Sequence, residues 1–327
     1  MTMPFRFDRM KSAALACAFA LSASAALAQT KIVVGMVAPG PPQWPLYIAE
    51  ELGFNKQGQI TIDDLATGAT TAQQLAVGTI NIAHSGFPDF VRATDQGAPI
   101  KIIVITQAEP PYTIFAKPHI KKISDLKGKT ISIGGVKDVT LIYLKGFLAA
   151  GNLKASDVDF VYAKAAGDRF AALAAGGVDA AILNPPTSFR AASMGLSAVG
   201  EISDHVKDFP FTVWAVNTEW AQKNRQAVMA FVNGYQQSVT WLYDPVNEER
   251  AITILMKYAK IDRNDAKSSY DYLVTKLHAF SRTGEITPAT FEKMKMGLIE
   301  LGDIKEPAPP LSKFYDPAYV DAGLKKP

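Results

Sequence analysis

The sequence has almost no cysteine. Cys17 is the single one among 327 residues, and it lies near the N-terminus. A mature chain that loses this segment has no disulfide, no thiolate metal site and no thiol nucleophile, so its stability must come from its core. The four histidines show no metal-ligand spacing, and the G-x-S-x-G motif of many hydrolases does not occur. We therefore expect no metal, no cofactor and no catalytic residues.

The sequence also lacks a basic stretch and, beyond its first residues, a long apolar run. The net charge is +3, and removal of residues 1–28, which contain three basic residues and one acidic residue, lowers it to +1. We therefore expect no nucleic-acid partner. No later run has the ~20 apolar residues of a spanning helix, so we expect no membrane insertion of the mature chain.

Residues 1–28 are typical of a secretory signal peptide. Basic residues precede an alanine-rich apolar run from Ala13 to Leu27, and Ala26-Leu27-Ala28 has the small-x-small form of a cleavage site. The run is shorter than a spanning helix requires. We therefore predict cleavage after Ala28.

Two segments of the remaining chain resemble each other at an offset of 98 residues. LAVGTINIA begins at Leu75 and LAAGGVDAA begins at Leu173, and the same offset carries Gly53 onto Gly151. These registers indicate that one unit occurs twice. Each unit has the pattern strand, helix, strand, helix, strand, with glycines 53 and 151 predicted as left-handed helix ends. The pattern predicts an α/β fold with a mainly parallel sheet in each half.

Extended segments connect the two units. Strand candidates precede the second unit, and DFPFTVWAVNTEW follows it. We therefore predict two lobes joined by two crossing strands, with residues 29–116 and 212–327 in lobe 1 and residues 117–211 in lobe 2. The largely helical C-terminal part is expected to pack on lobe 1, and its proline-rich tail is expected to lie on the surface.

Ligands of open α/β sheets bind beyond the carboxyl ends of the strands. The loops expected there are residues 38–45 and 83–89 in lobe 1, and residues 135–141 and 182–188 in lobe 2. If the lobes face each other, these loops line one cleft that closes around a small solute.

Four candidate ligand contacts lie in the lobe 1 loops. Gln43 offers an amide, and Trp44, held in a proline-stiffened loop, offers a face for an apolar or aromatic group. The alternative for Trp44 is a role in the core. His84 and Ser85 follow a buried strand and offer hydrogen-bond donors, although His84 is equally compatible with a structural role.

Four more candidates lie in lobe 2. Val136, Lys137 and Thr140 lie where a strand runs into a helix, and backbone N–H groups at such a helix start form an anion site. Asn184 ends a strand before two prolines and is expected to be a polar contact. Lys137 could add positive charge, although a lysine at such a position is more often solvated.

The crossing segments contribute the last candidates, Gln107, Tyr112 and Trp214, which either line the cleft or pack in the hinge. No arginine lies in the four cleft loops, and Arg169 is expected to start a helix. Because strongly anionic ligands usually recruit arginine, neutral donors and a small organic solute, such as a carboxylate or sulfonate with an apolar or aromatic part, are favoured.

The segments PLYIAEELGF, LAVGTINIA, ISDLKGKTISI and LAAGGVDAA occur in this order after an alanine-ending signal. Together they resemble the periplasmic solute-binding proteins that bind nitrate, sulfonates, taurine and thiamine precursors, over roughly residues 30–245. The resemblance implies the two-lobed, type II periplasmic-binding-protein fold. It also implies a monomeric, non-catalytic protein of the periplasm that delivers a solute to an ABC transporter permease at the inner membrane.

Two other functions remain open at this point. Some members of this family bind or make the thiamine pyrimidine. The resemblance implies a cysteine-rich iron site in the enzymes among them, and the mature chain, which has no cysteine, could not form such a site. A sensor partner that presents a bound solute to a membrane receptor shares the fold, and the sequence does not distinguish it from an importer component.

Overall fold

The structure is a computed structural model that describes residues 30–56, 60–67, 71–207 and 209–320. The predicted signal peptide, residues 1–28, lies outside the described residues. Within the described residues, no helix is both long and apolar enough to cross a bilayer.

In the described part of the chain, ten strands form two five-stranded sheets. The strands are β1 Thr30–Met36, β2 Ile60–Thr67, β3 Ile82–Gly86, β4 Ile100–Gln107, β5 Thr113–Ala116, β6 Thr130–Ile133, β7 Asp159–Tyr162, β8 Ala180–Leu183, β9 Ser197–Glu201 and β10 Thr212–Asn217.

Helices cover the sheets and make up most of the C-terminal part. They are α1 Trp44–Leu52, α2 Thr71–Ala76, α3 Phe87–Asp95, α4 Val139–Ala150, α5 Ala166–Ala174, α6 Thr187–Ser193, α7 Thr218–Lys223, α8 Arg225–Leu242, α9 Glu248–Ala259, α10 Arg263–Ser269 and α11 Pro288–Glu300. Helix α10 continues directly into a π-helix, Tyr270–Lys276.

The two sheets have the same topology. The first has the order β2-β1-β3-β10-β4, and the second has the order β7-β6-β8-β5-β9. In each sheet the first three strands are parallel, and the fourth is antiparallel to both of its neighbours. The predicted α/β fold, with a repeated strand–helix unit, is confirmed.

The two halves of the chain exchange one strand. Strand β5 follows the strands of the first sheet along the chain but pairs with β8 and β9 of the second. Strand β10 follows the second sheet and pairs with β3 and β4 of the first. The chain therefore enters the second sheet at Thr113, earlier than the predicted boundary at residue 117, because this short strand pairs with the sheet that it precedes.

The C-terminal helices pack on the first sheet. Helix α1 contacts both α8 and α9, and one hydrophobic cluster joins Ile32 and Val34 of the sheet to Phe231 and Leu255 of these helices. A second cluster continues from the first sheet into the second and includes Phe87, Tyr143 and Phe147. Burial of these large side chains provides most of the stabilisation of such a fold.

Two predicted features differ from the structure. Gly53 ends α1 in the left-handed conformation, with φ of 72°, but Gly151 has φ of −98°. Asn152, with φ of 59°, takes the left-handed position instead. Packing explains the glycine at position 151, because an added Cβ would lie 2.4 Å from Ile123 Cγ2.

The predicted surface tail is partly buried. Phe314, Tyr315 and Val320 lie in the core. The N–H of Ile102 donates to the carbonyl of Phe314 at 2.8 Å, and the N–H of Asp316 donates back to the carbonyl of Ile102 at 3.0 Å. The tail therefore pairs with the outer edge of β4, because its aromatic residues anchor it there despite its prolines.

Gly297 lies where α11 closely approaches the segment that precedes β10, and it provides the first prediction. A Cβ at this position would lie 2.6 Å from Phe209 Cζ and 2.9 Å from Ile142 Cδ1. Alanine favours a helix by about 1 kcal/mol over glycine, but overpacking typically costs ~1–3 kcal/mol. We expect Gly297→Ala to lower the free energy of unfolding, measured by urea denaturation.

Met296→Ala is the matched control on the same helix, because Met296 is 68% exposed. It should change the free energy of unfolding by less than about 0.5 kcal/mol. A Gly297→Ala protein as stable as this control would contradict the close approach.

Candidate functional site

A cavity of about 380 Å³ lies where loops from the two sheets meet. Residues 37–43, 84–86, 88 and 89 form its first-sheet wall, and residues 137–139, 164–167, 169 and 184–187 contribute its second-sheet wall. Tyr112, Phe211 and Thr212, from the segments that cross between the sheets, complete the lining. All four loops that were expected at the cleft contribute to it, which follows from the repeated topology.

The structure brings six of the predicted site residues to this cavity: Gln43, His84, Ser85, Tyr112, Lys137 and Asn184. They come from both walls and from one crossing segment. Their contact with a ligand remains a prediction.

Trp44 does not line the cavity, so its predicted ligand-facing role is wrong. Its side chain is fully buried. The indole Nε1–H donates to the carbonyl of Ala251 at 3.0 Å, and the ring meets the edge of Tyr270 at 6.0 Å. Because Trp44 is the first residue of α1, it points to the C-terminal helices, while Gln43 before it lies at the cavity.

The predicted anion site at the start of α4 is already filled by a carboxylate of the chain. Asp138 Oδ1 accepts hydrogen bonds from the backbone N–H of Thr140 at 2.9 Å and from its hydroxyl at 2.6 Å. The Thr140 hydroxyl in turn accepts from the N–H of Gly134 at 2.9 Å. Thr140 is therefore buried in an internal network, and Val136, 57% exposed, lies outside the cavity wall.

Gln107 and Trp214 also lie behind the cavity rather than in its wall, so the alternative of hinge packing applies. Both are fully buried. The Trp214 ring packs against His84 at 4.6 Å and against Phe231 at 5.1 Å between ring centroids.

A chain of buried hydrogen bonds runs from the first-sheet wall into the core. It connects Gln43 Nε2 with His84 Nδ1 at 2.9 Å, His84 Nε2 with Thr106 Oγ1 at 3.0 Å, Thr106 Oγ1 with Thr212 Oγ1 at 2.7 Å, and Thr212 Oγ1 with Gln107 Oε1 at 3.3 Å. Since the Gln43 amide N–H donates to Nδ1, the His84 ring carries its proton on Nε2. Burial lowers the pKa of His84 to about 3, so the ring is neutral.

Arg169 is the residue that the sequence interpretation missed. It lines the second-sheet wall, and it is only 2% exposed. Three backbone carbonyls hold its guanidinium: Nε donates to Ile182 at 2.8 Å, and Nη1 donates to Ala163 at 3.0 Å and Lys164 at 2.8 Å. Nη2 takes no part in these bonds. The inference from a lack of arginine in the cleft loops is therefore wrong.

Tyr112 lies close to this guanidinium. Burial raises the pKa of Tyr112 well above its usual value, whereas the charge of Arg169 lowers it. A sequence signal for this part of the site existed, because residues 163–167 follow β7, another parallel strand. The corresponding loop of the first half, residues 68–70, lies outside the described residues.

The charges of the cavity differ between its two walls. The second-sheet wall contains Arg169, Lys137 and Lys164 together with Asp138. The first-sheet wall contains Asp89, whose carboxylate accepts from Ser85 Oγ at 2.7 Å and pairs with Arg92 at 3.3 Å. In the described residues, no group of three or more His, Cys, Asp or Glu side chains is placed to hold a metal ion.

Comparison with known proteins places residues 41–248, more than half of the chain, in the family described as NMT1/THI5 like. One curated relative is the nitrate/nitrite binding protein NrtA of Synechococcus elongatus, which is 26% identical over 231 residues. That match covers 66% of this chain and 50% of the relative, so it spans only half of the relative's length.

Solved structures share the fold. The ligand-binding component of an ABC-type import system from Staphylococcus aureus, solved with zinc bound, has a TM-score of 0.74 at 14% identity and covers 90% of this chain and 98% of its own. The desulfurization enzyme DSZB has a TM-score of 0.67 at 16% identity and covers 90% of this chain and 99% of its own. The two-lobed periplasmic-binding-protein fold is therefore confirmed, and the fold alone does not separate binding proteins from enzymes.

The buried position of Trp44 predicts an effect on stability. We expect Trp44→Ala to lower the free energy of unfolding by ~3–5 kcal/mol, because it leaves a large cavity between α1 and the C-terminal helices. Urea denaturation measures this loss. Val246→Ala, at a site 82% exposed, serves as the control and should be nearly neutral. A Trp44→Ala protein of unchanged stability would show that the indole does not belong to the core.

The neutral state of His84 predicts a pH dependence. The pKa of His84 is about 3 in the folded protein and about 6.5 in an unfolded chain. As the pH falls, the unfolded state therefore takes up a proton at His84 before the folded state does. The free energy of unfolding decreases as the pH falls from about 6.5 towards 3. The slope from this one group is about 1.4 kcal/mol per pH unit.

The difference between the wild type and His84→Gln isolates this contribution, because the other titrating groups are common to both proteins. Stability curves from urea denaturation at pH 7, 6, 5 and 4 should converge as the pH falls. His119→Gln, at an exposed histidine, is the control and should keep the wild-type slope. Parallel curves for His84→Gln would contradict a buried neutral ring.

Proposed function

The chain belongs to the NMT1/THI5-like family, and we propose that it is the periplasmic solute-binding component of an ABC importer. The observation that carries this proposal is the cavity of about 380 Å³, to which loops from both sheets contribute. A cavity of this size lies near the lower end of the range for small-molecule sites. We further propose the lobe division of the sequence interpretation, with the first crossing moved to residues 108–112.

Binding is proposed to couple to closure of the two sheets around the solute. Two segments cross between the sheets, and both contribute to the cavity lining, through Tyr112 in one and through Phe211 and Thr212 in the other. A small rotation in these segments therefore changes the separation of the two walls directly. The proposed ligand is a small organic solute, a carboxylate or a sulfonate, since Arg169 and two lysines line one wall.

The relatives support this proposal at the level of the class. A nitrate/nitrite binding protein and a ligand-binding component of an import system are among the similar proteins. The enzyme that shares the fold makes catalysis the main alternative. Against catalysis, both ring nitrogens of His84 are hydrogen-bonded, to Gln43 and Thr106. The Ser85 hydroxyl donates to Asp89 rather than to a histidine, so the nucleophile–base pair of covalent catalysis is not formed.

The test begins with the protein purified from its own host without denaturation. Native mass spectrometry should detect one small organic solute per chain, and small-angle scattering should show a smaller radius of gyration than for protein stripped by unfolding and refolding. Deletion of the gene should abolish uptake of that solute, since an importer requires its binding component.

Three results would contradict the proposal. Recovery of a chemically altered solute after incubation with the protein alone would indicate an enzyme. Unchanged uptake in the deletion strain, together with loss of a transcriptional response to the solute, would indicate a sensor partner. The absence of any bound or bindable solute would remove the binding function itself.

A further inference from the structure

The two walls of the cavity carry different polar groups. This difference restricts the chemical identity of the ligand more closely than the proposed function does. Three helices, α4, α5 and α6, begin at the second-sheet wall. Asp138 fills the start of α4 by accepting from the N–H of Thr140. The first turn of a helix carries partial positive charge and unpaired N–H groups, and at α4 the chain's own carboxylate satisfies them.

The start of α5 has no side-chain cap, since the carboxylate in its first turn, that of Asp168, is exposed and makes no capping hydrogen bond. Its N-cap is Ala165, which has no side chain that can accept a hydrogen bond, and α5 is nine residues long. Ala165, Ala166 and Gly167 line the cavity, and the space around the Cα of Gly167 is open, since an added Cβ would meet no atom within 4 Å.

Arg169 is one turn further along the same helix and adds a full positive charge at this place. It is 98% buried, its guanidinium donates to the carbonyls of Ala163, Lys164 and Ile182, and the neutral Tyr112 hydroxyl is a further side-chain neighbour. Carbonyl dipoles orient a guanidinium but do not neutralise it, and a buried charge without a counter-ion is costly. An acidic group of the ligand would supply the missing negative charge.

The first-sheet wall presents the opposite need. Gln43 is 5% exposed and lines the cavity. Its Nε2 donates to His84, while its Oε1 is buried without a hydrogen-bond partner among the described residues. An unsatisfied buried carbonyl oxygen typically costs ~1–3 kcal/mol, so a donor that reaches it stabilises the closed complex.

The hydrogen-bond chain behind Gln43 agrees with this orientation of the amide. With the proton of the His84 ring on Nε2, each hydroxyl in the chain donates once, from Thr106 to Thr212 and from Thr212 to Gln107. Rotation of the Gln43 amide would place its oxygen against the lone pair of Nδ1. The neutral His84 ring also contributes no positive charge to this wall.

On the basis of the proposed function, we infer that the ligand is a small organic acid with a hydrogen-bond donor at its other end. Its acidic group binds Arg169 and the first turn of α5, and its hydroxyl or amino group donates to Gln43 Oε1. Arg169 and Gln43 are then the residues that determine specificity, one for charge and one for the donor.

The experiment compares acids that differ in one terminal group. Isothermal titration calorimetry of the full-length mature protein uses pairs in which a terminal hydroxyl replaces a methyl group, such as 4-hydroxybutyrate and pentanoate, across a series of chain lengths, with sulfonate pairs beside them. At the best length, the hydroxy acid should bind about tenfold more tightly than its methyl-ended match. The neutral amide of the same hydroxy acid should bind at least tenfold more weakly than the acid.

Variants separate the two recognition elements. Gln43→Met removes the acceptor, so the affinity ratio within a pair should fall from about ten to about one. Gln237→Met, the same change at an exposed glutamine outside the cavity, should leave the ratio unchanged. Arg169→Gln should weaken both acids of a pair equally. Circular dichroism monitors folding, and Arg169→Lys is the second variant should Arg169→Gln not fold.

The outcomes distinguish this inference from the proposed function. Tightest binding by neutral or cationic compounds, or equal affinity within every pair, would overturn the inference while the solute-binding function stands. An equal loss for both acids in Gln43→Met would also overturn it, because that result indicates a purely structural glutamine. If no compound of any class binds, both fail.

Discussion

The two sheets are held together by the strands that they exchange. Strand β5 is hydrogen-bonded between β8 and β9, and β10 is hydrogen-bonded between β3 and β4. Separation of the halves would break both ladders and expose the cores on either side, at a cost comparable to the total stability of a domain. The crossing segments are therefore permanent tethers, and relative motion of the walls is restricted to bending next to Gln107 and before Thr212. The shape of the cavity between the sheets can therefore change only through bending of these two segments.

The same duplication that places equivalent loops around the cavity does not make its walls equivalent. Helix α1 begins with Trp44, which faces the C-terminal helices, whereas α4 begins beside Asp138, which closes its own N-terminus. The C-terminal helices pack on the first sheet, and Trp44 is buried against them. The repeated fold provides the geometry of the cavity, and local differences in sequence provide the different polar groups of its two walls.

The repeat, the strand–helix alternation and the four cleft loops were predictable from the sequence, because strand periodicity and the 98-residue register depend on local pattern. The roles of Trp44 and Arg169 were not. The direction of Trp44 depends on α9, more than 200 residues away, and that of Arg169 depends on carbonyls at the ends of neighbouring strands. The role of Gly151 was not predictable for the same reason, because this position lacks a side chain owing to its close contact with Ile123 and not to a left-handed turn. The sequence pattern predicts where the strands, helices and loops lie, whereas tertiary contacts determine the direction of a side chain.

The pairing of the C-terminal tail with β4 has a consequence for the molecule as a whole. Beyond the bonds of Ile102 with the tail, the N–H of Ile105 donates to Gly284, that of Ala108 donates to Ala279, and that of Ser281 donates to Thr106. This outer strand of the first sheet is thereby covered along its length. An uncovered edge is a template on which a strand of another molecule can add. With this edge covered, β4 offers no open ladder on which a strand from another copy of the protein could add.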